Sequence, residues 1–170
     1  MHDLGNHHDA LTIYHWVRQH GSKYGKPSCV EDEHAPEGWE FVGSGCARSV
    51  WLSPEGVAYK VGHNDWSERQ QRGEVNNLTR AWEIGAPEGC RFPKFDSYDV
   101  PDGDDVETVV AVEFIPGDLL IDYTTQNWNE RDLLYERLQI CETRLRLADL
   151  HDENAVVDAD GLLVPVDFGC

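Results

Sequence analysis

The chain has 170 residues, long enough for one ordinary domain or two small lobes, and its 32 acidic against 14 basic side chains give a formal net charge of −18. Such a surface repels DNA, RNA and anionic lipid, so neither a nucleic-acid nor a membrane partner is expected. Five widely spaced cysteines form no C-x-x-C, no stretch approaches the roughly 20 apolar residues of a membrane span, and the N-terminus lacks a basic leader, all of which suits a cytosolic protein. Scarce lysine among abundant carboxylates is compatible with a high-salt cytoplasm and equally with an ordinary acidic protein.

In chain order, residues 9–20 carry Leu11, Ile13, Tyr14, Trp16 and Val17 at helical spacing, with Asp9 placed as N-cap and Gly21 as a stop. The following GSKYGKPSCVEDEHAPEG, to residue 38, reads as a surface linker. WEFVGSG, SVWLSP and GVAYKV then predict three strands of an antiparallel meander. Asp65 and Glu68 have capping-box spacing ahead of a helix on which Glu74, Leu78 and Trp82 share a face. FPKFDSYDV and ETVVAVEFIPG supply two more strands. Asn129 is placed to cap a second long helix, running to about Arg146, with Leu134, Leu138, Cys141 and Leu145 as its apolar stripe. AVVD and LLVPVDF close the chain as a hairpin.

Five short motifs stand along this order. They are Gly43-x-Gly45 followed by Val50, the strand Val57-Ala58-Tyr59-Lys60, the helical Glu74, the segment from Val112 to Leu120, and Asp149-Leu150-His151-Asp152-Glu153-Asn154 ahead of Asp167-Phe168-Gly169. Together they resemble the protein-kinase-like fold over residues 39–169. The resemblance implies an α+β protein: residues 1–38 an N-terminal helix and acidic linker, 39–117 an N-lobe with a five-stranded antiparallel sheet and one helix, and 118–170 a reduced C-lobe of one long helix, a catalytic loop and a β-hairpin.

In such enzymes a glycine loop brings backbone N–H groups against phosphate oxygens, which assigns Gly43 and Gly45 to the nucleotide, with Val50 and Ala58 against its base. Lys60 would reach the phosphates of ATP, held by Glu74, with Glu68 and Glu83 as competing carboxylates. Glu113 and Ile115 would meet the adenine edge through their main chains. Asp149 would orient the acceptor hydroxyl as base, and Asn154 and Asp167 would ligate Mg2+, whose preference for hard oxygen donors suits an amide and a carboxylate. Asp152, Glu153 and Asp158 read as solvated loop acids.

Arg48 replaces the family's third glycine, and Leu147-Ala148 replaces the His-Arg that usually precedes the aspartate. His151 makes D-x-H-x-x-N similar to the aminoglycoside and choline phosphotransferase branch, or else simply caps the loop. The resemblance stops after Gly169, ahead of the segments that bind a protein substrate, so that surface is either absent or supplied by a protein partner.

Two functions follow from the resemblance: a minimal magnesium-dependent ATP phosphotransferase of unknown acceptor, or a nucleotide-binding pseudokinase or interaction module of the kind suited to viral or mobile-element genomes. A longer kinase cut short is a third origin. His2, His7 and His8 offer a transition-metal site or are incidental to a terminus.

Overall fold

The structure, a computed structural model, describes residues 3–20, 35–45, 47–63, 65–147 and 150–168. Most of the expected linker, residues 21–34, lies outside them, as do Asp149 and Gly169. The chain is α+β and divides into two compact units, Met1–Arg72 with Lys94–Phe114 and Gly73–Pro93 with Ile115–Cys170.

The first unit is built on a five-stranded antiparallel sheet of β1 (Glu40–Ser44), β2 (Arg48–Leu52), β3 (Val57–Gly62), β4 (Phe95–Asp102) and β5 (Asp105–Glu113), in the order β1-β2-β3-β5-β4. Strand alternation sends Trp51, Val57, Tyr59, Val61, Val109 and Ala111 to one face. Helix α1 (His7–His20) covers that face with Ala10, Ile13, Tyr14 and Val17. Each fully buried aliphatic here, such as Ile13 or Val61, stabilises the fold by about 1.5–3 kcal/mol.

The N-cap of α1 is Asn6 and not Asp9. The Asn6 side-chain oxygen accepts the Asp9 N–H at 2.9 Å, and its Nδ2 donates to Asp9 Oδ2 at 2.8 Å, so Asp9 stands at the third helical position and steadies the capping side chain. The sheet fixes the helix start: the Asn6 N–H donates to the Tyr59 hydroxyl (3.0 Å), and the Tyr98 hydroxyl donates to the Leu4 carbonyl (2.8 Å). His7 belongs to the same docking, its Nε2 lying 2.9 Å from the Asp99 carbonyl.

Helix α2 (Asp65–Ile84) begins in the first unit and continues in the second. Its first turns press on the end of β3: a Cβ on Gly62 would come within 2.6 Å of Ser67 Cβ, so only glycine fits. Its buried positions are Ser67, Gln71, Glu74, Leu78 and Ala81, a helical stripe whose first half is polar.

The second unit holds a three-stranded antiparallel sheet, β6 (Gly117–Leu119), β7 (Ala155–Asp158) and β8 (Leu163–Pro165), in that order. β7 and β8 are the expected hairpin; β6 is an added edge strand. A Cβ on Gly117 would stand 2.3 Å from the Val157 carbonyl oxygen, so the close β6–β7 approach requires glycine there. Two helices follow β6, α3 (Leu120–Gln126) and α4 (Arg131–Leu145). α3 is absent from the sequence reading, and Asn129 falls in the turn before α4, whose N-cap residue is Glu130. The stripe Leu134, Leu138, Cys141 and Leu145 is buried. Cys90 and Cys141 are buried free thiols. No described helix is long and apolar enough to cross a membrane.

Candidate functional site

Two groups of the expected residues have defined surroundings, one in each unit. In the first unit, register places Gly43 opposite Val50, Val50 opposite Lys60, and Lys60 opposite Val110; the neighbouring row is Leu52, Ala58 and Val112. These residues occupy the sheet face opposite α1, since Val57, Tyr59 and Val61 alternate with Ala58 and Lys60 along β3. Gly43, Val50, Ala58 and Lys60 are thus brought onto one surface. A Cβ on Gly43 or Gly45 would meet nothing within 4 Å, so open space lies over both glycines. The Gly45 N–H donates to the Arg48 carbonyl at 2.9 Å and closes the β1–β2 turn.

Ala47, in the same turn, is tied to α2. Its carbonyl accepts from Ser67 Oγ at 2.7 Å and from the His63 N–H at 3.0 Å. One turn on, Gln71 Nε2 donates to the Lys60 carbonyl at 2.7 Å, fixing the main chain that carries the lysine. Ser67 and Gln71 escape a search for apolar periodicity. Their signal is polar residues at i and i+4 continuing into Glu74, Leu78 and Ala81.

Lys60 is 6% exposed and Glu74 0%, and neither stands without a partner. Of the competing carboxylates, Glu83 is exposed. Glu68 is committed elsewhere: pairing of β3 with β5 ends at Lys60 and Val110, and the Thr108 N–H beyond it donates to Glu68 Oε2 at 2.8 Å. Thr108 Oγ1 (3.0 Å) and Arg72 Nε donate to the other Glu68 oxygen.

Burial first, then the hydrogen bond and negative charge of Glu68, push the neighbouring Glu107 up to about 7. For Glu68 burial acts upward too, but the bonds from Arg72 and Thr108 bring it below the usual carboxylate value. The two carboxyls therefore share a proton, which Glu107 holds below neutral pH and gives up as pH rises through about 7. Glu113 donates its N–H to the Lys94 carbonyl (2.8 Å) and accepts the Lys94 N–H on Oε2 (3.0 Å).

In the second unit, Asp152–Asn154 form a single 3-10 turn capped by His151. His151 Nδ1 accepts the Glu153 N–H at 3.3 Å, and its Nε2 lies 3.1 Å from the Asn154 side-chain nitrogen. The histidine therefore caps the loop and also orients the asparagine. The Asn154 carbonyl accepts the Val166 N–H at 2.9 Å, linking this turn to the chain just before Asp167. Phe168 is buried edge-on to Phe92, and its carbonyl accepts from Asn77 Nδ2 of α2 at 2.8 Å. Ile115 packs with Val156 and Val164.

Asp158 and Asp152 are not solvated loop acids. Asp158 is buried, pairs with Arg91 Nε at 2.6 Å, and accepts the N–H groups of Asp160 and Leu162 at 3.0 and 2.9 Å, holding the β7–β8 turn. Burial alone would raise its pKa, but the Arg91 bond and the two N–H groups bring it below the usual carboxylate value. Asp152 accepts the Tyr135 hydroxyl at 2.7 Å. Glu153 is exposed.

Among the described residues no group of three or more His, Cys, Asp and Glu side chains could hold a metal ion. Magnesium that keeps waters and substrate phosphates needs only one or two protein oxygens. Asn154 and Asp167 are of the type that fits this demand. No model of a known protein family and no curated protein sequence matches the chain.

Proposed function

We propose that this chain is an ATP-dependent, magnesium-requiring phosphotransferase of the protein-kinase-like kind. The observation that carries the reading is Lys60, a lysine only 6% exposed in the row that also holds Gly43 and Val50. Surface lysines let the ammonium reach water, and a buried charge costs several kcal/mol unless paired. A chain with no use for the charge would carry an apolar residue at such a site. Glu74, equally buried at the position that the resemblance assigns to the partner carboxylate, supports the same reading.

The roles follow from residue chemistry. Gly43 and Gly45 leave open space for phosphate to approach their backbone, with Val50 and Ala58 as the apolar contact for a purine. Lys60 neutralises phosphate charge, and Glu74 restrains its long side chain. Asn154, oriented by His151, and Asp167 hold Mg2+, which supplies charge neutralisation on the transferring phosphoryl group. Asp149 orients the acceptor hydroxyl and receives its proton. A second reading, nucleotide binding without transfer, draws support from Ala47, whose carbonyl is spent on Ser67 and His63 and restrains the glycine turn.

Thermal shift and transfer assays together test both readings. Magnesium-ATP should raise the melting temperature, because a ligand selective for the folded state stabilises it by mass action. Asp149→Asn should keep that shift and abolish transfer, whereas Asp167→Asn should diminish the magnesium-dependent shift itself. Glu153→Gln should change neither. A shift with no transfer from wild type would favour the second reading, and no shift at millimolar nucleotide would sink both.

A further inference from the structure

Within the second unit, α3, the start of α4 and the 3-10 turn line an open cavity of about 270 Å3. Its wall includes Ile121, Thr124, Trp128, Arg131, Tyr135 and Asp152, none of which belongs to the nucleotide or metal set above. Trp128 is 69% exposed, an unusual state for an indole in a polar turn. The Arg131 guanidinium lies over the Trp128 ring at 5.6 Å and over the Tyr135 ring at 5.9 Å. The two ring contacts hold the cation in place, and its side-chain N–H groups have no hydrogen-bond or ion-pair partner among the described residues.

In the same lining, Asp152 Oδ2 accepts the Tyr135 hydroxyl, and Oδ1 has no partner among the described residues. Thr124 Oγ1 gives its hydrogen to the Leu120 or Ile121 carbonyl, at 2.9 and 3.2 Å, and also lies against the Tyr135 hydroxyl. One part of the lining therefore donates to an anion, another accepts from a cation or hydroxyl, and an indole and an isoleucine lie beside them. The volume is at the small end for ligand pockets, the size of a metabolite smaller than a nucleotide.

We propose that this cavity binds a small zwitterion of the amino-acid type: its carboxylate on Arg131, its ammonium on Asp152, and its apolar body against Trp128 and Ile121. The binding does not depend on phosphoryl transfer. Three probes separate the contacts: L-phenylalanine carries both charges, phenylacetate only the anion, and phenethylamine only the cation.

Calorimetric titration of the full chain without nucleotide, with the indole N–H resonance of Trp128 followed by NMR, should show saturable binding with L-phenylalanine the tightest of the three. Arg131→Gln should weaken L-phenylalanine and phenylacetate about tenfold or more and spare phenethylamine, the loss expected for one charge-assisted contact. Asp152→Asn, which keeps an acceptor for Tyr135, should do the reverse. Both variants alter exposed or half-buried side chains, and an unchanged melting temperature verifies their folding. No saturable binding of L-phenylalanine at millimolar concentration, or equal losses for all three probes in both variants, would overturn the assignment.

Discussion

Lys60 and Glu107 are two ionisable residues that the fold withdraws from water, the first buried and the second half-buried. The main chain of Lys60 is held by Gln71, whose side-chain amide donates to its carbonyl, and the residue is buried. Glu107 answers burial and the neighbouring Glu68 by holding its proton to higher pH. It faces Glu68 and Thr108, with Arg18 and Tyr14 of α1, Asp102 of β4 and Arg72 of α2 in the same surroundings. Its folded pKa, about 7, lies above the ordinary glutamate value, so its favourable contribution is complete below the unfolded pKa and is lost as pH rises through about 7. Glu107→Gln should therefore leave stability at pH 4 nearly unchanged and raise it at pH 8, by roughly 1 kcal/mol or less after solvent screening. Denaturant titrations of both proteins across this range would show it, and parallel pH profiles for the two would refute the shared proton.

At the scale of elements, glycines with different surroundings separate folding from function. Gly117→Ala drives a Cβ against the Val157 carbonyl and should cost about 1–3 kcal/mol by forcing β6 from β7. Gly43→Ala meets nothing within 4 Å and should change stability by no more than about 0.5 kcal/mol. If Gly43 admits phosphate, the same methyl group should abolish most of the magnesium-ATP shift. An unaltered ATP shift in Gly43→Ala would remove the glycine turn from the nucleotide site. The strands of the large sheet were legible in the sequence because alternation and Pro/Gly turns encode them locally, as in Val57 to Gly62. The stripe of α4 was legible because all four of its buried positions are apolar or thiol. α3 and β6 were not: three residues of strand and seven of helix are too short for a period to emerge, and Leu119 and Ile121 remain exposed. The polar half of the α2 stripe was missed because Ser67 and Gln71 are buried to satisfy carbonyls of Ala47 and Lys60, contacts that bring together residues 20 and 11 apart in sequence. Asp158 read as a loop acid because its partner, Arg91, is 67 residues away. Of the candidate site, the residue types and their order were legible; the sharing of a sheet face by Gly43, Val50, Ala58 and Lys60 follows from register, which the strand pattern fixes. The cavity beside Trp128 left only an aromatic in a polar turn as its trace.

For the whole molecule the dominant fact is a net charge of −18. The 14 basic side chains cannot neutralise 32 carboxylates, and the pairs of Asp102 with Arg18 and Asp158 with Arg91 engage two of those basic residues. The remaining repulsion between like charges opposes compaction and is long-ranged in dilute buffer, where the Debye length at about 0.01 M salt is roughly 30 Å. At about 1 M it falls to roughly 3 Å, so the repulsion is screened between all but neighbouring groups. Exposed favourable pairs weaken as well, but each contributes only about 0–1 kcal/mol and they are outnumbered by unfavourable ones. The thermal midpoint should therefore rise steadily from dilute buffer to molar potassium chloride, and most of the rise should come below about 0.2 M, where the screening length changes fastest. Specific salting-out would continue to strengthen beyond that concentration and would depend on the anion, so potassium chloride and potassium glutamate should coincide at low ionic strength if screening is the cause. A midpoint that is flat or falls with added salt would mean that the carboxylates are arranged so that their attractive contacts outweigh the net repulsion.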